Sequence, residues 1–278
     1  MKIRYLGTGA AEGIPAVFCQ CETCRRASEQ KGKDIRTRTS ALVNDKLLLD
    51  ISPDLYFHKL RYDLDLWKVK GVCVTHSHSD HFDGAELTRR SSANYCHIQG
   101  EKPLCVYGNS KVCRLGGQSF QEEFGKEKDP SVVFLPARPF EEIRIEELSV
   151  TPIPANHDPA EMCLIYLVEE GETRILYAND TGLLGQEAYD FLKGKKLSLV
   201  SLDCTFGANG CHGSSHMGIE ENLVVVKRLK EEGCLTPSTM IIATHFSHNC
   251  RMNHQELEQK LGETGIQAAW DGLMFQWQ

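Results

Sequence analysis

Short apolar runs rich in valine, isoleucine and leucine recur along the chain, at Lys46 to Ile51, Gly71 to Thr75, Ser131 to Leu135, Met162 to Val168, Arg174 to Ala178, Leu197 to Leu202 and Met240 to Thr244. Their length and β-branched content predict buried strands. Helical patterns lie between them, the clearest over Met217 to Glu232. There Ile219, Leu223, Val226 and Leu229 share one face, Glu220 and Glu221 sit in the first turn, and Lys227, Arg228 and Lys230 in the last, with Gly233 following. Near the C-terminus, Ala268 to Trp270 and Leu273 to Phe275 flank Asp271-Gly272, a two-residue turn signal that predicts a closing hairpin.

No repeat, low-complexity segment or Gly/Ser linker divides the 278 residues, so the expected organisation is one α/β domain over residues 1–278. Hydrophobic residues at 41% and charged residues at 25% suffice for a full core and exclude general disorder. The start, Met1-Lys2-Ile3-Arg4-Tyr5-Leu6-Gly7, lacks the apolar core of a signal peptide. No apolar run reaches the ~20 residues of a membrane span. The expected location is therefore cytoplasmic, and the 12 cysteines read as metal ligands plus buried thiols rather than disulfides. A net charge of −7 argues against a large nucleic-acid footprint, which draws on clustered Lys and Arg. Small anionic substrates stay open if the chain builds a local positive site.

Such a site is suggested by His76-Ser77-His78-Ser79-Asp80-His81, directly after the strand-like Val72 to Thr75. On extended chain, positions two apart point the same way, so His76 and His78 can serve one ion while the turn at Asp80-His81 serves a second. The plainer alternative is a His-rich surface loop. Against it, His157, Asp180 and His245 each close an apolar run, and ligands in α/β sheets collect at the carboxyl ends of strands. Imidazole and carboxylate donors suit Zn, Mn or Fe and do not choose among them. A separate cluster, Cys19-Gln20-Cys21-Glu22-Thr23-Cys24, brings three thiols close together. A closed structural zinc site needs one more ligand, for which His248 is the candidate; the alternative is three thiols without metal. Gly7, Gly9 and Gly13 have one residue too many for a dinucleotide fingerprint and precede cysteines rather than a helix.

The order His-x-His-x-Asp-His, lone His, Asp, final His resembles the metallo-β-lactamase superfamily. That resemblance implies a four-layer αββα sandwich, two mixed sheets flanked by helices. It assigns His76, His78 and His157 to one metal and Asp80, His81 and His245 to the other, with Asp180 bridging and Asp50 supporting from a strand end. Two ions ~3.5–4 Å apart can share a hydroxide that attacks a phosphoryl or acyl centre, which implies hydrolysis. The cysteine cluster, with Leu6 to Ala16 before it, Ser201 to Cys204, Thr244 to His248 and Trp270 to Gly272, is similar over nearly the whole chain to the PhnP-type phosphodiesterases of bacterial phosphonate breakdown. This closer likeness implies a small cyclic phosphodiester such as 5-phosphoribosyl 1,2-cyclic phosphate as substrate. It also implies manganese or zinc, with iron or nickel as further options, in the pair, and structural zinc on Cys19, Cys21, Cys24 and His248. His216 and Asp80 are the catalytic residues it implies, His216 as the acid that protonates the leaving alkoxide. A helix-start side chain or a phosphate-binding imidazole are the other readings of His216.

Other readings are a tRNA 3′-processing endonuclease, whose tRNA-gripping arm has no counterpart here, a thioesterase or lactonase, and a PqqB-like binding module. The expected partner is the small phosphodiester; a homodimer is left open, and neither nucleic acid nor membrane is expected. His58, His97 and His254 read as packing or surface residues, Cys73, Cys105, Cys113, Cys163 and Cys234 as plain thiols, and His212 has no assigned role.

Overall fold

The computed structural model describes residues 1–91, 95–98, 103–126, 129–210 and 215–278. Its strands, numbered in chain order, are β1 (Lys2–Gly7), β2 (Ser40–Val43), β3 (Leu47–Leu49), β4 (Gly71–Cys73), β5 (Leu104–Gly108), β6 (Val132–Pro136), β7 (Ile143–Ile145), β8 (Leu148–Pro154), β9 (Leu164–Glu170), β10 (Thr173–Ala178), β11 (Leu199–Asp203), β12 (Met240–Thr244), β13 (Gln267–Ala268) and β14 (Met274–Gln276). The helices are α1 (Glu22–Gln30), α2 (Leu55–Tyr62), α3 (Gly84–Thr88), α4 (Ser110–Phe124), α5 (Gln186–Leu192), α6 (Ile219–Glu231) and α7 (His254–Gly262). The strands form two seven-stranded sheets, ordered β14-β1-β2-β3-β4-β5-β6 and β13-β12-β11-β10-β9-β8-β7. Both are mixed: β3 to β6 run parallel, as do β10 to β13, while β1, β8 and β9 pair antiparallel with their neighbours.

The two-fold period of a strand explains why the apolar runs are continuous. In β3, Leu47 and Leu49 enter the core between the sheets, while Leu48 joins a second core under α2 and α4. In β10, Ile175 and Tyr177 face the inter-sheet core, and Leu176 and Ala178 face a third core with Ala188, Leu192, Val225 and Leu229 of α5 and α6. Every residue of β3 and the last four of β10 are buried. Helices on the outer faces of two packed sheets give the four-layer αββα sandwich that the resemblance implied.

The expected closing hairpin is not formed. β13 joins β12 in one sheet and β14 joins β1 in the other, so Asp271-Gly272 turns the chain from sheet to sheet. Gly272 adopts φ 99°, a region that favours glycine, and the buried Asp271 accepts from Thr8 Oγ1 at 2.7 Å and from the Thr37 amide at 2.7 Å. The helix expected from Met217 begins at Ile219, because Gly218 serves as its cap and the Glu221 carboxylate accepts from the Gly218 amide at 2.9 Å. His58 and His254 are buried, with hydrogen-bonding partners, whereas His97 is exposed.

Candidate metal centre

The strand ends place the ligand candidates on one rim. The 76–81 loop follows β4, His157 follows β8, Asp180 follows β10, Asp203 ends β11 and His245 follows β12. Three non-glycine residues here, Asp50, Asp180 and His245, take left-handed backbone with φ of 63°, 57° and 59°. The ligand atoms fall into two groups, His76, His78, His157 and Asp180, and Asp80, His81, Asp180 and His245, each lying within 4.8 Å of one another. Asp180 belongs to both.

The hydrogen bonds of these side chains leave their ligand atoms turned toward a common centre. The His157 Nδ1–H donates to the Ser215 carbonyl at 3.0 Å, and the His78 Nε2–H faces Asp158 Oδ2 at 3.3 Å. The remaining nitrogens, His157 Nε2 and His78 Nδ1, therefore present lone pairs to each other at 3.1 Å. Likewise His81 donates from Nδ1 to Asp50 at 2.8 Å, and His245 Nδ1 lies 2.8 Å from Thr205 Oγ1. Their Nε2 atoms then converge at 3.3 Å, beside Asp80 and Asp180. His76 Nε2 is buried without a hydrogen-bond partner, 3.3 Å from Asp180 Oδ2. Each imidazole is thus oriented through one nitrogen while the other aims inward, the pattern of metal-ligating histidines. Two cations resolve this convergence of lone pairs and carboxylates. The residues fit a metal pair.

The electrostatics agree. Burial opposes charge on His81, yet Asp80 and Asp50 hold it well above its ordinary value, and burial of His245 is outweighed by Asp180 and Asp203, which raise it to about 9. Although burial acts against ionisation of Asp80 and Asp180, the histidines around them hold both well below the usual carboxylate range. Burial, with His81 beside it, holds His76 well below its ordinary value, and burial lowers His157, so positive charge is favoured at His81 and His245 and opposed at the other two rings.

His216 sits beside this centre. Its Nδ1 lies 2.9 Å from Asp180 Oδ1 and 3.2 Å from Asp203 Oδ2, and its ring stacks on His245 at 5.8 Å. Burial opposes its charge, but Asp180 and Asp203 raise it to about 10. Asp180, Asp203, His216 and His245 also form a group of ligand-type atoms, so the geometry allows His216 a ligand role beside that of an acid. His212 lies outside the described residues.

Cys19, Cys21, Cys24 and His248 meet as a separate group within 4.8 Å, with His248 Nδ1 3.2 Å from Cys24 Sγ and 3.6 Å from Cys21 Sγ. Three thiols and one imidazole at such spacings suit a closed tetrahedral zinc site. Burial pushes Cys24 up to about 12; Cys21, despite some burial, is brought down to about 7 by hydrogen bonds from the Cys24 amide and the neighbouring thiols.

Four supporting residues escaped the sequence reading. Asp203, fully buried, accepts from the Thr205 amide at 3.0 Å and the Met217 amide at 2.8 Å, fixing the chain on both sides of His216. It closes an apolar run just as Asp180 does, a signal that was there to be read. Thr205, two residues on, links Asp203 to His245. Glu161 accepts from the Ser77 amide at 3.0 Å, Ser77 Oγ at 2.7 Å, Asn109 Nδ2 at 2.7 Å and Lys111 Nζ at 3.0 Å. Glu12 accepts from Ser247 Oγ and from the His248 amide. The centre opens into a cavity of about 300 Å³ whose lining includes Glu12, Asp80, Phe206, His216 and Asn249. A larger cleft of about 820 Å³, against Arg114, Gln118, Val133 and Phe134, lies away from these ligands.

Comparison with known proteins agrees with this geometry. The family described as "Beta-lactamase superfamily domain" matches residues 45–246, more than half of the chain. The octanoyltransferase of Porphyromonas gingivalis (strain ATCC BAA-308 / W83) is 26% identical over 287 aligned positions, covering 98% of this chain and 51% of that protein, so the chain spans about half the length of this curated relative. Among solved structures, a diphosphatase from the PhnP family aligns over 100% of this chain and 98% of its own at 24% identity and a TM-score of 0.78. Zinc-bound PqqB from Methylobacterium extorquens aligns over 100% of both chains at 18% identity and a TM-score of 0.73. Human short-form tRNase Z aligns over 99% of both at 14% identity and a TM-score of 0.69. At these identities the structures speak for the fold, and with the family match they establish that the chain belongs to the metallo-β-lactamase superfamily of metal-dependent hydrolases.

Proposed function

We propose that this protein hydrolyses small phosphodiesters. The observation that carries the reading is the doubly shared Asp180, joining two inward-facing ligand groups beside His216 in a cavity of about 300 Å³. In this proposal His76, His78 and His157 hold one divalent ion, Asp80, His81 and His245 the second, and Asp180 both. Cys19, Cys21, Cys24 and His248 hold a structural zinc. When bound, the paired ions supply charge neutralisation at the phosphoryl oxygens and an activated water.

The chain's own residues complete the chemistry. Asp50 orients His81 through Nδ1, while Asp203 and Thr205 orient His245. Asp203 also anchors His216 Nδ1, so the proton His216 passes on is the one at Nε2, toward the departing alkoxide. Such a positioned acid supplies ~10²–10⁴-fold in rate. The PhnP-family diphosphatase and tRNase Z, two similar folds that act on phosphorus, support phosphorus over carbon as the centre attacked.

The test uses metal-loaded full-length protein with a dialkyl cyclic phosphate and a nitrophenyl phosphodiester, against a thioester, a lactone and pre-tRNA. Turnover of the phosphodiesters alone is expected, with His216→Ala slowing the alkyl substrate far more than the nitrophenyl ester. Faster turnover of the thioester, lactone or pre-tRNA would overturn the reading.

A further inference from the structure

Glu12 lines the cavity beside His216 without belonging to any ligand group. It stands on the loop after β1, and its Oε1 accepts from Ser247 Oγ and, at 3.3 Å, from the His248 amide, which fixes the carboxylate against the 245–248 turn. No hydrogen bond engages its Oε2 among the described residues. The side chain is 29% exposed, so it is open to a bound molecule yet held in place. Asn249, whose carboxamide has no partner among the described residues, lines the same cavity, and Phe206 offers an aromatic face. No Lys or Arg lines it among the described residues.

We infer that Glu12 is a specificity residue, accepting a hydroxyl from an uncharged polyhydroxyl part of the substrate and disfavouring a second phosphate there. The inference rests on the phosphodiesterase reading and deepens it. A carboxylate accepts strongly from a hydroxyl and repels an anion, and a carboxylate and a carboxamide lining one cavity suit a polyhydroxyl ligand. A phosphomonoester at that end would meet Glu12 with no Lys or Arg in the lining among the described residues, the charge on His216 being already engaged by Asp180 and Asp203, and the like-charge clash is strengthened by the partly desolvated site. The substrate class is then a phosphodiester of a neutral sugar or glycerol, its single phosphoryl group lying at the metal ligands. This departs from the 5-phosphoribosyl substrate that family likeness implied.

The deciding experiment compares ribose 1,2-cyclic phosphate bearing a free 5-hydroxyl with the same ring carrying a 5-phosphate, using metal-loaded wild type, Glu12→Gln and Glu12→Lys. Wild type should favour the unphosphorylated ring by roughly tenfold or more in kcat/KM. Glu12→Gln keeps an acceptor for Ser247 and the His248 amide but loses the charge, so it should retain its metals while the ratio contracts to within about threefold. Glu12→Lys should reverse it. A merely structural Glu12 would lower both rates together and leave the ratio fixed. That result, or wild-type preference for the phosphorylated ring, overturns the inference while leaving the phosphodiesterase reading intact. Failure of wild type on both rings and on a nitrophenyl phosphodiester overturns both.

Discussion

His58 offers a pH-dependent test of the fold that is independent of the metals. The ring is fully buried, and its Nε2 lies 2.7 Å from Thr37 Oγ1. Thr37 gives its one hydroxyl proton to Asp271 Oδ2 at 2.7 Å, so its oxygen must accept from His58, which fixes the Nε2–H tautomer. Nδ1 is then a bare nitrogen, buried and without a hydrogen-bond partner. A second proton on this ring finds no acceptor, and burial first, then Arg61 and Arg38, lowers His58 from 6.5 to about 3. The unfolded chain protonates His58 below its ordinary value while the folded chain does not. Its contribution is therefore fully present above 6.5 and is lost as pH falls toward about 3. Each pH unit in that window removes about 1.4 kcal/mol, so roughly 3 kcal/mol is lost by about pH 4.5. Asp271, raised by burial, contributes with the opposite sign, which makes the wild-type curve alone ambiguous. The comparison is His58→Gln, whose amide can still donate to Thr37 but does not titrate. Urea unfolding of both proteins across the range should show wild type losing stability relative to the variant at that slope. Parallel curves, or a gap that opens in the other direction, would refute the assignment of a buried neutral ring.

Three further expectations concern separate features. Asp50→Asn removes the carboxylate that orients His81, and should weaken binding at the paired ions ~10–100-fold in a chelator competition while the thiolate site keeps its metal; equal loss at both would implicate the fold instead. Glu161→Ala strands four donors, the Ser77 amide and hydroxyl, Asn109 and Lys111, and should lower unfolding stability by ~1–3 kcal/mol, with Glu161→Gln losing less. Gly116→Ala would put a Cβ 2.2 Å from Phe134 Cε1 and should destabilise by ~1–3 kcal/mol, whereas Gly262→Ala, which meets nothing within 4 Å, should not lower the melting temperature.

The sequence made the strands with both faces covered easy to read, since Leu47 to Leu49 or Ile175 to Ala178 leave no polar position to confuse the pattern. The short edge and pairing strands were harder. β1 contains Arg4, and β2 is four residues long beside a polar turn. The Asp271-Gly272 error is of another kind. A left-handed turn between apolar segments is the same local signal whether the segments pair with each other or with different sheets, and only the availability of β1 and β12 as partners decides. Among site residues, His157, Asp180 and His245 were visible because each follows a strand, and Asp203 at the end of β11 carried the same signal without being singled out. Glu12 and Glu161 were not visible, because they act from polar loops where a carboxylate is ordinary and only the fold supplies the donors that single them out.

What no residue pattern announced is how the chain turns its carboxylates inward. Asp50 and Asp180 end extended segments in left-handed conformation, as His245 does after β12, and for non-glycine residues this costs on the order of 1 kcal/mol or more each. The strain is held by neighbouring bonds that do not involve the ligand atoms. The Asp50 amide donates to the Cys73 carbonyl at 2.9 Å, and the Ile51 amide to the His81 carbonyl at 2.9 Å, which ties the β3 end to both ends of the ligand loop. Beyond His245 the Phe246 amide donates to the Thr8 carbonyl at 3.0 Å, and the Ala10 amide returns to the Phe246 carbonyl at 3.0 Å, locking the turn to the loop that carries Glu12. A straight continuation of either strand would carry the next side chain along the sheet; the left-handed residue bends the backbone away and leaves its own side chain aimed at the centre. The site is thus set by backbone first and by ligand chemistry second. A cation that arrives meets donors already converged, and the repulsion among those donors is what it relieves.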